Sequence, residues 1–428
     1  MKKKARLLLI AILIVAIALL GFVFIRNLID FPVYYSAGQS LINGRTDLYS
    51  PDFAQGRVMD YRYPPFFLLA LVPLWLLPYK VAAYVWYLIA ILEIAGCVFI
   101  LNRQTDFTQS AKAAWLIISL VVGQYFVMIL HYGNAHLMAV FLLFVSFYFA
   151  VRRKNFSAAI AMALAITIKL TPILILPYFA LKKRWEFLSL VAALLIAINL
   201  APAAYFGFEK NAQLLKSWYE HVVADQEFHE MNGPVNLSLK GQLRRLFSQV
   251  DYSERVDGDV QYPSVNVATV SPEIIEKFWI ALAALMFFST LALIWVGPKE
   301  SINYERRVVL ELSLMVCLMV FAEPLTSKIY FIALLWPVAG LADFAFSDST
   351  PWPKRVRRVI IFVAVINSVL PLLPGRSVQR LLLVLGVDFY VNCLLAAAVV
   401  YALFYVSREP QKLSGEPQTQ ALSAAKTS

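Results

Sequence analysis

Long apolar runs recur along almost the whole chain, and short polar segments separate them. A transmembrane helix needs about 20 predominantly apolar residues. On that criterion the sequence predicts about twelve membrane passages, near residues 7–29, 79–101, 113–130, 134–151, 155–169, 171–181, 185–206, 274–297, 307–322, 328–344, 358–373 and 380–406. The short passages 155–169 and 171–181 are interpreted as a hairpin that dips across the membrane. The pattern predicts an all-α polytopic membrane protein with one integral domain over residues 1–407.

Two polar segments between the passages, residues 30–78 and 207–273, are long enough to have a role of their own. The first contains "YRYPPFFLLALVPLWLLP", in which twelve apolar residues follow Pro64 and Pro65. Twelve residues are too few to span a bilayer, so this stretch is predicted to lie in the interface or to re-enter. The second segment mixes charged and aromatic residues and is predicted to form a small folded cap. Residues 408–428 are polar, which predicts a disordered tail.

Composition supports the membrane assignment, and the charge distribution orients the chain. Hydrophobic residues make up 60% and charged residues 15% of the sequence, against roughly 25% charged residues in a soluble domain. The net charge of +11 comes from basic clusters between passages, which indicates topology and not a nucleic-acid partner. The positive-inside rule places both termini in the cytoplasm together with the clusters Lys2–Lys4, Arg152–Lys154, Lys182–Arg184, Arg306–Arg307 and Lys354–Arg358. We predict a multi-pass protein of the plasma or inner membrane whose two long segments face outward.

Asp30 is the first acid in the chain and stands just after the first apolar run, in "RNLIDFPVYYSAGQSLINGRTDLYSP". An ionisable group at a helix end should face water, a partner or a site, because lipid disfavours it. Arg26, four residues earlier, is at the spacing of an ion pair along a helix. The residues alone therefore leave a structural and a catalytic role for Asp30 equally open.

Two lysines stand at predicted outer turns. Lys169 in "ITIKLTPILILPYF" has apolar neighbours, and the helix start after Pro172 offers further N–H groups to an anion. In "AEPLTSKIYFIALLWP", Glu323 and Lys328 bracket a polar turn. Both lysines together would suit a phosphate group. The alternatives are that Lys169 snorkels to lipid headgroups and that Lys328 and Glu323 form an exposed ion pair.

Two further outer segments carry polar residues. In "LHYGNAHLMAV" the two histidines are five residues apart, which is not the spacing of a helical metal pair, so no metal site is predicted. Asn134 in its tight turn is expected to reach a sugar or headgroup. In "NGPVNLSLKGQLRRLF" the helix either rests on headgroups or covers the site and contributes Asn236. No cofactor-binding motif is present, and no cofactor is predicted.

Three stretches taken together resemble a known family. "DFPVYYSAGQSLINGRTDLYSP", "YRYPPFFLLALVPLWLLP" and "IKLTPILILPYFALKKRW" are similar in order to glycosyltransferase family 87, polyprenol-phosphate-mannose-dependent mannosyltransferases with a GT-C fold. "GNAHLMAVFLL" is similar to the family's Gly-Gln-x-Asn turn, and "VNLSLKGQLRRL" to its Asn-Gln-Ser segment. The resemblance covers roughly residues 1 to 345.

The resemblance implies a GT-C-like bundle and an inverting hexosyltransferase. It implies a polyprenyl-phosphate sugar donor, a lipid or glycan acceptor, and an active site on the outer face of the membrane. Asp30 would be the general base, and Lys169 and Lys328 would stabilise the departing phosphate. The residues expected to bind the sugar or acceptor are Tyr34, Tyr35, Tyr49, Asn134, His136 and Asn236.

The chain departs from the family at two turns. "TSKIY" stands where the family commonly has Ser-Trp-x-His, so Lys328 is taken to replace the histidine, and the Gly-Gln-x-Asn turn is here Gly133-Asn134-Ala135-His136. The main alternative is a transporter or flippase of lipid-linked sugars, a class that often has internal repeats, and none is visible here. A ligase- or polymerase-like enzyme would be expected to have its main outer loop late in the chain. A scaffold would leave Asp30 and Lys169 unexplained.

Overall fold

The computed structural model describes residues 14–50, 60–105, 111–224, 236–249, 262–297, 304–346 and 353–406. Within these ranges the regular structure is entirely helical, as the apolar pattern predicts. The predicted tail, 408–428, lies outside the described residues, as do parts of both long polar segments.

The first half of the chain forms helices of very different lengths. They are α1 (Ile14–Asn27), α2 (Phe31–Ile42), α3 (Pro65–Ala70), α4 (Val72–Trp75), α5 (Tyr79–Gln104), α6 (Ala111–Tyr132), α7 (His136–Val151), α8 (Asn155–Ile168), α9 (Leu176–Leu181), α10 (Trp185–Leu200), α11 (Ala203–Phe206) and α12 (Phe208–Trp218). A 3₁₀ turn, Thr171–Ile175, leads into α9, and a π-helical turn, Tyr219–Val223, follows α12.

The second half adds seven helices among the described residues. They are α13 (Leu239–Phe247), α14 (Pro272–Val296), α15 (Tyr304–Ala322), α16 (Leu335–Phe346), α17 (Pro353–Val369), α18 (Arg376–Leu385) and α19 (Val387–Val406). Two 3₁₀ segments, Lys328–Leu334 and Leu370–Leu372, precede α16 and follow α17.

Six stretches of helix in the described ranges are long and apolar enough to cross a membrane, and the count is seven if α1 and α2, bent by 74°, form one passage. The six are α5, α6, α10 with α11, α14, α16 with its preceding 3₁₀ segment, and α19. The prediction of about twelve passages is therefore not confirmed. The residues 155–181 do form the predicted pair of short helices.

Residues 7–13 of the predicted first passage lie outside the described residues, and two physical features lower the count further. The apolar helices α7 and α8 are too short to pass as spans, and α15 begins with the charged residues Glu305, Arg306 and Arg307. The predicted passage 380–406 is instead two helices, α18 and α19. They meet at Gly386, whose φ of +71° suits glycine and against which the Gln242 side chain packs.

The main core is centred on α15 and α16. Almost every residue of both helices is buried, including charged Glu311 and Asp343, and α6, α7, α8 and α19 contribute side chains around them. A helix that is apolar on all sides belongs inside a protein. These two helices therefore form the interior of the bundle and not its lipid-facing surface.

A second, smaller core attaches the segment between α1 and α5 to the bundle. It joins α2, α3 and α4 to α5 around the fully buried side chains of Phe31, Leu68 and Trp75. Trp75 donates its indole N–H to the Leu68 carbonyl at 2.8 Å. Gly38 of α2 lies directly against the Trp75 ring. The twelve apolar residues after Pro65 thus form two short helices that fold back on α2.

The contact between Gly38 and Trp75 predicts a sharp difference between two glycines. Gly38→Ala places a methyl group into the fully buried Trp75 ring and should destabilise the protein by about 1–3 kcal/mol. Gly123→Ala, in α6, meets no atom within 4 Å and should be neutral or stabilising. Thermal unfolding of both variants in the same detergent measures this, and equal melting temperatures would contradict the packing described.

Candidate functional site

Asp30 lies at the bend between α1 and α2, and two sets of hydrogen bonds hold it against the turn between α6 and α7. The backbone N–H groups of Ile29 and Asp30 both donate to the Tyr132 carbonyl, at 3.2 and 2.8 Å. The Asn134 side-chain amide donates to Asp30 Oδ2 at 2.8 Å. The predicted ion pair with Arg26 is not found among the described residues. The partner of the carboxylate is therefore a neutral amide.

The turn that supplies Asn134 depends on Gly133. Its φ is +64°, and a Cβ there would lie about 3 Å from Leu28 and Phe31. Trp86 donates its indole N–H to the Gly133 carbonyl at 2.9 Å. Asn134 Oδ1 accepts the backbone N–H of His136 at 2.7 Å, which orients the amide so that its NH₂ faces Asp30. The local backbone thus fixes the direction of the Asn134–Asp30 bond.

The electrostatics of Asp30 differ from those of the next acid in the outer segment. Burial raises the pKa of Asp30 above its usual value, and the bond from Asn134 opposes that rise only in part. By contrast, hydrogen bonds from Arg45 and Ser50 hold the pKa of exposed Asp47 well below its usual range. A carboxylate with a raised pKa binds a proton more strongly. Asp30 is therefore the better proton acceptor of the two.

A second group of polar residues surrounds Tyr330. The Lys169 ammonium lies 2.9 Å from the centre of the Tyr330 ring and pairs with Glu323 Oε1 at 2.7 Å. The His136 and Tyr330 rings are 4.6 Å apart. His136 Nε2 is 3.4 Å from the Tyr330 carbonyl. Because Asn134 and His136 share one turn, this group adjoins the Asp30–Asn134 pair.

His136 connects the two groups. It stands two residues after Asn134, whose amide bonds Asp30, and its ring lies 4.6 Å from that of Tyr330. The turn thus brings the Asp30 carboxylate close to the group formed by Tyr330 and the Lys169–Glu323 ion pair.

Asn236 is hydrogen bonded to the turn that follows Glu323. Its amide donates to the Pro324 carbonyl at 3.2 Å, and its Oδ1 accepts the N–H groups of Ser238 and Thr326. These bonds attach the start of α13 to the turn that follows Glu323. The helix α13 does not rest on the surface, because Lys240 and its neighbouring arginines are buried. The alternative in which this segment covers the site agrees better with these contacts.

Lys328 belongs to a different cluster from Lys169. Its ammonium is 3.6 Å from Asp388 Oδ2, and Tyr125 donates to the other oxygen of Asp388 at 2.8 Å. Glu323, which the sequence places near Lys328, pairs with Lys169 instead. The two lysines that the sequence assigned to one phosphate thus each pair with a separate carboxylate.

The hydroxyls of the three tyrosines that the sequence assigned to sugar binding form hydrogen bonds within the protein. Tyr34 is buried, with its hydroxyl 2.8 Å from that of Tyr63. Tyr35 donates to the Leu77 carbonyl at 2.7 Å, and Tyr49 donates to the Tyr63 carbonyl at 2.9 Å. Their hydroxyls therefore stabilise the fold of the segment that follows Asp30.

Comparison with known families decides the class of protein. The profile of glycosyltransferase family 87 matches residues 61–321, which is more than half of the 428-residue chain. The chain belongs to glycosyltransferase family 87. The resemblance inferred from the sequence is thereby confirmed, and the family indicates glycosyltransferase activity. No curated protein matches the chain.

The matched range covers only part of the site of this family 87 glycosyltransferase. It includes Asn134, His136, Lys169 and Asn236, whereas Asp30 and the Tyr330 segment lie outside it. Sequence reasoning missed Tyr330, because an aromatic residue in an apolar run has the pattern of a packing residue. Its contacts with His136 and Lys169 come from packing between distant segments, and no spacing in the sequence signals them.

In the described part of this family 87 protein, no group of three or more histidines, cysteines, aspartates or glutamates has the placement of a metal site. The cysteines Cys97 and Cys317 are buried and unpaired.

Because Lys169 pairs with Glu323, the losses of stability caused by mutating each residue should not add in the double variant. Lys169→Met or Glu323→Gln alone leaves a largely buried charge without its partner and should cost about 3 kcal/mol of stability. The double variant removes both charges and should recover most of that loss. Thermal unfolding of the wild type, both single variants and the double variant in detergent gives a double-mutant cycle of stabilities. If the double variant loses as much stability as the two single variants together, Lys169 and Glu323 do not pair directly.

Proposed function

We propose that this glycosyltransferase moves a hexose, mannose in the first instance, from a polyprenyl-phosphate donor to a hydroxyl of a lipid or glycan acceptor. The reaction takes place on the outer face of the plasma or inner membrane and inverts the anomeric carbon. Asp30 is the general base. The observation that carries the proposal is the Asp30–Asn134 pair, a fixed carboxylate with a raised pKa at the end of the first membrane helix.

The bond changes follow from that role. Asp30 takes the proton of the acceptor hydroxyl as its oxygen forms a bond to the anomeric carbon. The bond between that carbon and the phosphate oxygen breaks, and the polyprenyl phosphate leaves with the electron pair. Asn134 holds the carboxylate in place throughout. Attack from the side opposite the leaving group accounts for inversion.

The position of Asp30 supports a lipid-linked donor. A residue at the end of a membrane helix can meet a polar acceptor from water and a leaving group anchored in lipid. Family membership favours an enzyme over the transporter or flippase of lipid-linked sugars. With the N-terminus inside, one passage brings Asp30 to the outer face.

The other residues predicted for the site have different roles in the proposal. Lys169 stabilises the charge on the departing phosphate, since it lies over the Tyr330 ring, which adjoins the Asp30–Asn134 pair through His136. Lys328, bound to Asp388, supports the 3₁₀ segment that carries Tyr330. His136 and Asn236 orient the sugar and acceptor from the two turns that border the region.

A transfer assay with purified protein in liposomes tests the donor class. Labelled mannose is offered as polyprenyl-phosphate mannose, and in parallel reactions as polyprenyl-phosphate glucose or GDP-mannose, with extracted membrane lipids as acceptors. We expect transfer from a lipid-linked sugar and none from the nucleotide. Transfer from the nucleotide alone would overturn the proposal, and movement of the lipid-linked sugar between leaflets without transfer would support the flippase.

The pH dependence of transfer should report the bond from Asn134. Asp30 must be ionised to act, so activity falls as the pH drops through its raised pKa. Asn134→Ala removes a bond that favours the charged form, so the acid limb of the kcat profile should move upward by roughly one pH unit. Asn102→Ala, at the exposed end of α5, should leave the limb in place. An acid limb that does not move in Asn134→Ala would contradict the role of Asp30.

A further inference from the structure

Tyr330 is the residue around which the second polar group is built, and neither the family match nor the sequence pattern assigns it a role. Lys169 lies over its ring at 2.9 Å, and the His136 ring is 4.6 Å from it. Two residues from different helices thus restrict the ring. An aromatic side chain held in this way presents its hydroxyl in one direction.

The Tyr330 ring adjoins the Asp30–Asn134 pair through His136, which stands two residues after Asn134 in the same turn. In the part of the chain that the structure describes, the Tyr330 hydroxyl forms no hydrogen bond. Tyr330 is half-buried, in contrast to the buried Tyr34. The hydroxyl is thus available to a ligand beside the Lys169–Glu323 ion pair.

The chemistry of that region limits the identity of the ligand. The acceptor oxygen must lie at Asp30 to lose its proton, and the anomeric carbon must lie beside that oxygen. On the proposed function, the sugar ring that carries this carbon extends away from Asp30 toward the neighbouring group around Tyr330. A phenol both donates and accepts hydrogen bonds, which suits a ring hydroxyl of a sugar.

We propose that Tyr330 is a specificity-determining residue, whose hydroxyl hydrogen bonds the transferred sugar while Lys169 and His136 hold its ring. This inference rests on the proposed function, because it takes the lipid-linked sugar as the donor. Lys169 then has two connected tasks, since it faces the departing phosphate and positions Tyr330. Glu323 keeps the ammonium over the ring through the 2.7 Å ion pair.

Equilibrium binding without acceptor tests the inference separately from catalysis. Two probes are compared in nanodiscs, polyprenyl-phosphate mannose and the polyprenyl methyl phosphate of the same chain length. Both carry one negative charge and the same lipid, so the ratio of their Kd values isolates the sugar. Wild type should bind the mannosyl lipid more tightly. In Tyr330→Phe, which keeps the ring, that preference should fall about tenfold, the loss expected for one hydrogen bond.

Two further variants make the result decisive. Tyr84→Phe removes a hydroxyl that bonds the Ala18 carbonyl at 3.0 Å, far along the chain from the site, and should leave the preference unchanged. Lys169→Met frees the ring and should lower the preference in the same direction as Tyr330→Phe. An unchanged preference in Tyr330→Phe, or a wild type that binds both lipids equally, would overturn the inference.

Failure of the proposed function would look different. If wild type prefers the mannosyl lipid and Tyr330→Phe loses that preference, the inference stands even where no transfer to an acceptor is detected. In that case the negative transfer assay would reject glycosyl transfer from this donor, and the binding result for Tyr330 would be unaffected.

Discussion

The hydrogen bond from Asn134 to Asp30 joins two parts of the chain that lie about a hundred residues apart in sequence. It connects the end of the first membrane helix to the turn between α6 and α7, and the two N–H bonds to the Tyr132 carbonyl strengthen that connection. The turn can supply the amide only because Gly133 adopts a positive φ against Leu28 and Phe31. The position of the carboxylate therefore depends on backbone geometry in a distant helix pair.

Asp30 differs from most other acids of the bundle because its side-chain partner is an amide and not a cation. Glu311 pairs with Arg307 and Lys182, and Asp343 pairs with Arg306. A buried charge is costly unless a partner compensates it, so such pairs are expected inside an apolar bundle. Asp30 has an amide partner instead, which orients the carboxylate without neutralising it. A carboxylate in that condition can accept a proton, which a cation-bound carboxylate does less readily.

Much of this arrangement follows from the sequence, and the limits have physical causes. The helical class and the pair of short helices at 155–181 are readable from apolar runs, and the turn positions of Asp30 and Asn134 are readable from the residues around them. The number of passages is not, because an apolar helix buried in protein has the same composition as one that faces lipid. The partner of Glu323 is not readable either, since Lys328 is near it in sequence whereas Lys169 is near it in space. Tyr330 illustrates the same limit, because its role depends on contacts from α7 and from the residue after α8.

The most direct test of the account is the rate of mannose transfer from polyprenyl-phosphate mannose by Asp30→Asn. The variant keeps the size of the side chain and removes the charge that accepts the proton. Asp47→Asn, in the same outer segment but exposed and paired with Arg45, is the matched control. At equal protein levels the account predicts that Asp30→Asn lowers kcat at least about 100-fold while Asp47→Asn stays near wild type. Equal rates in wild type and Asp30→Asn would contradict it.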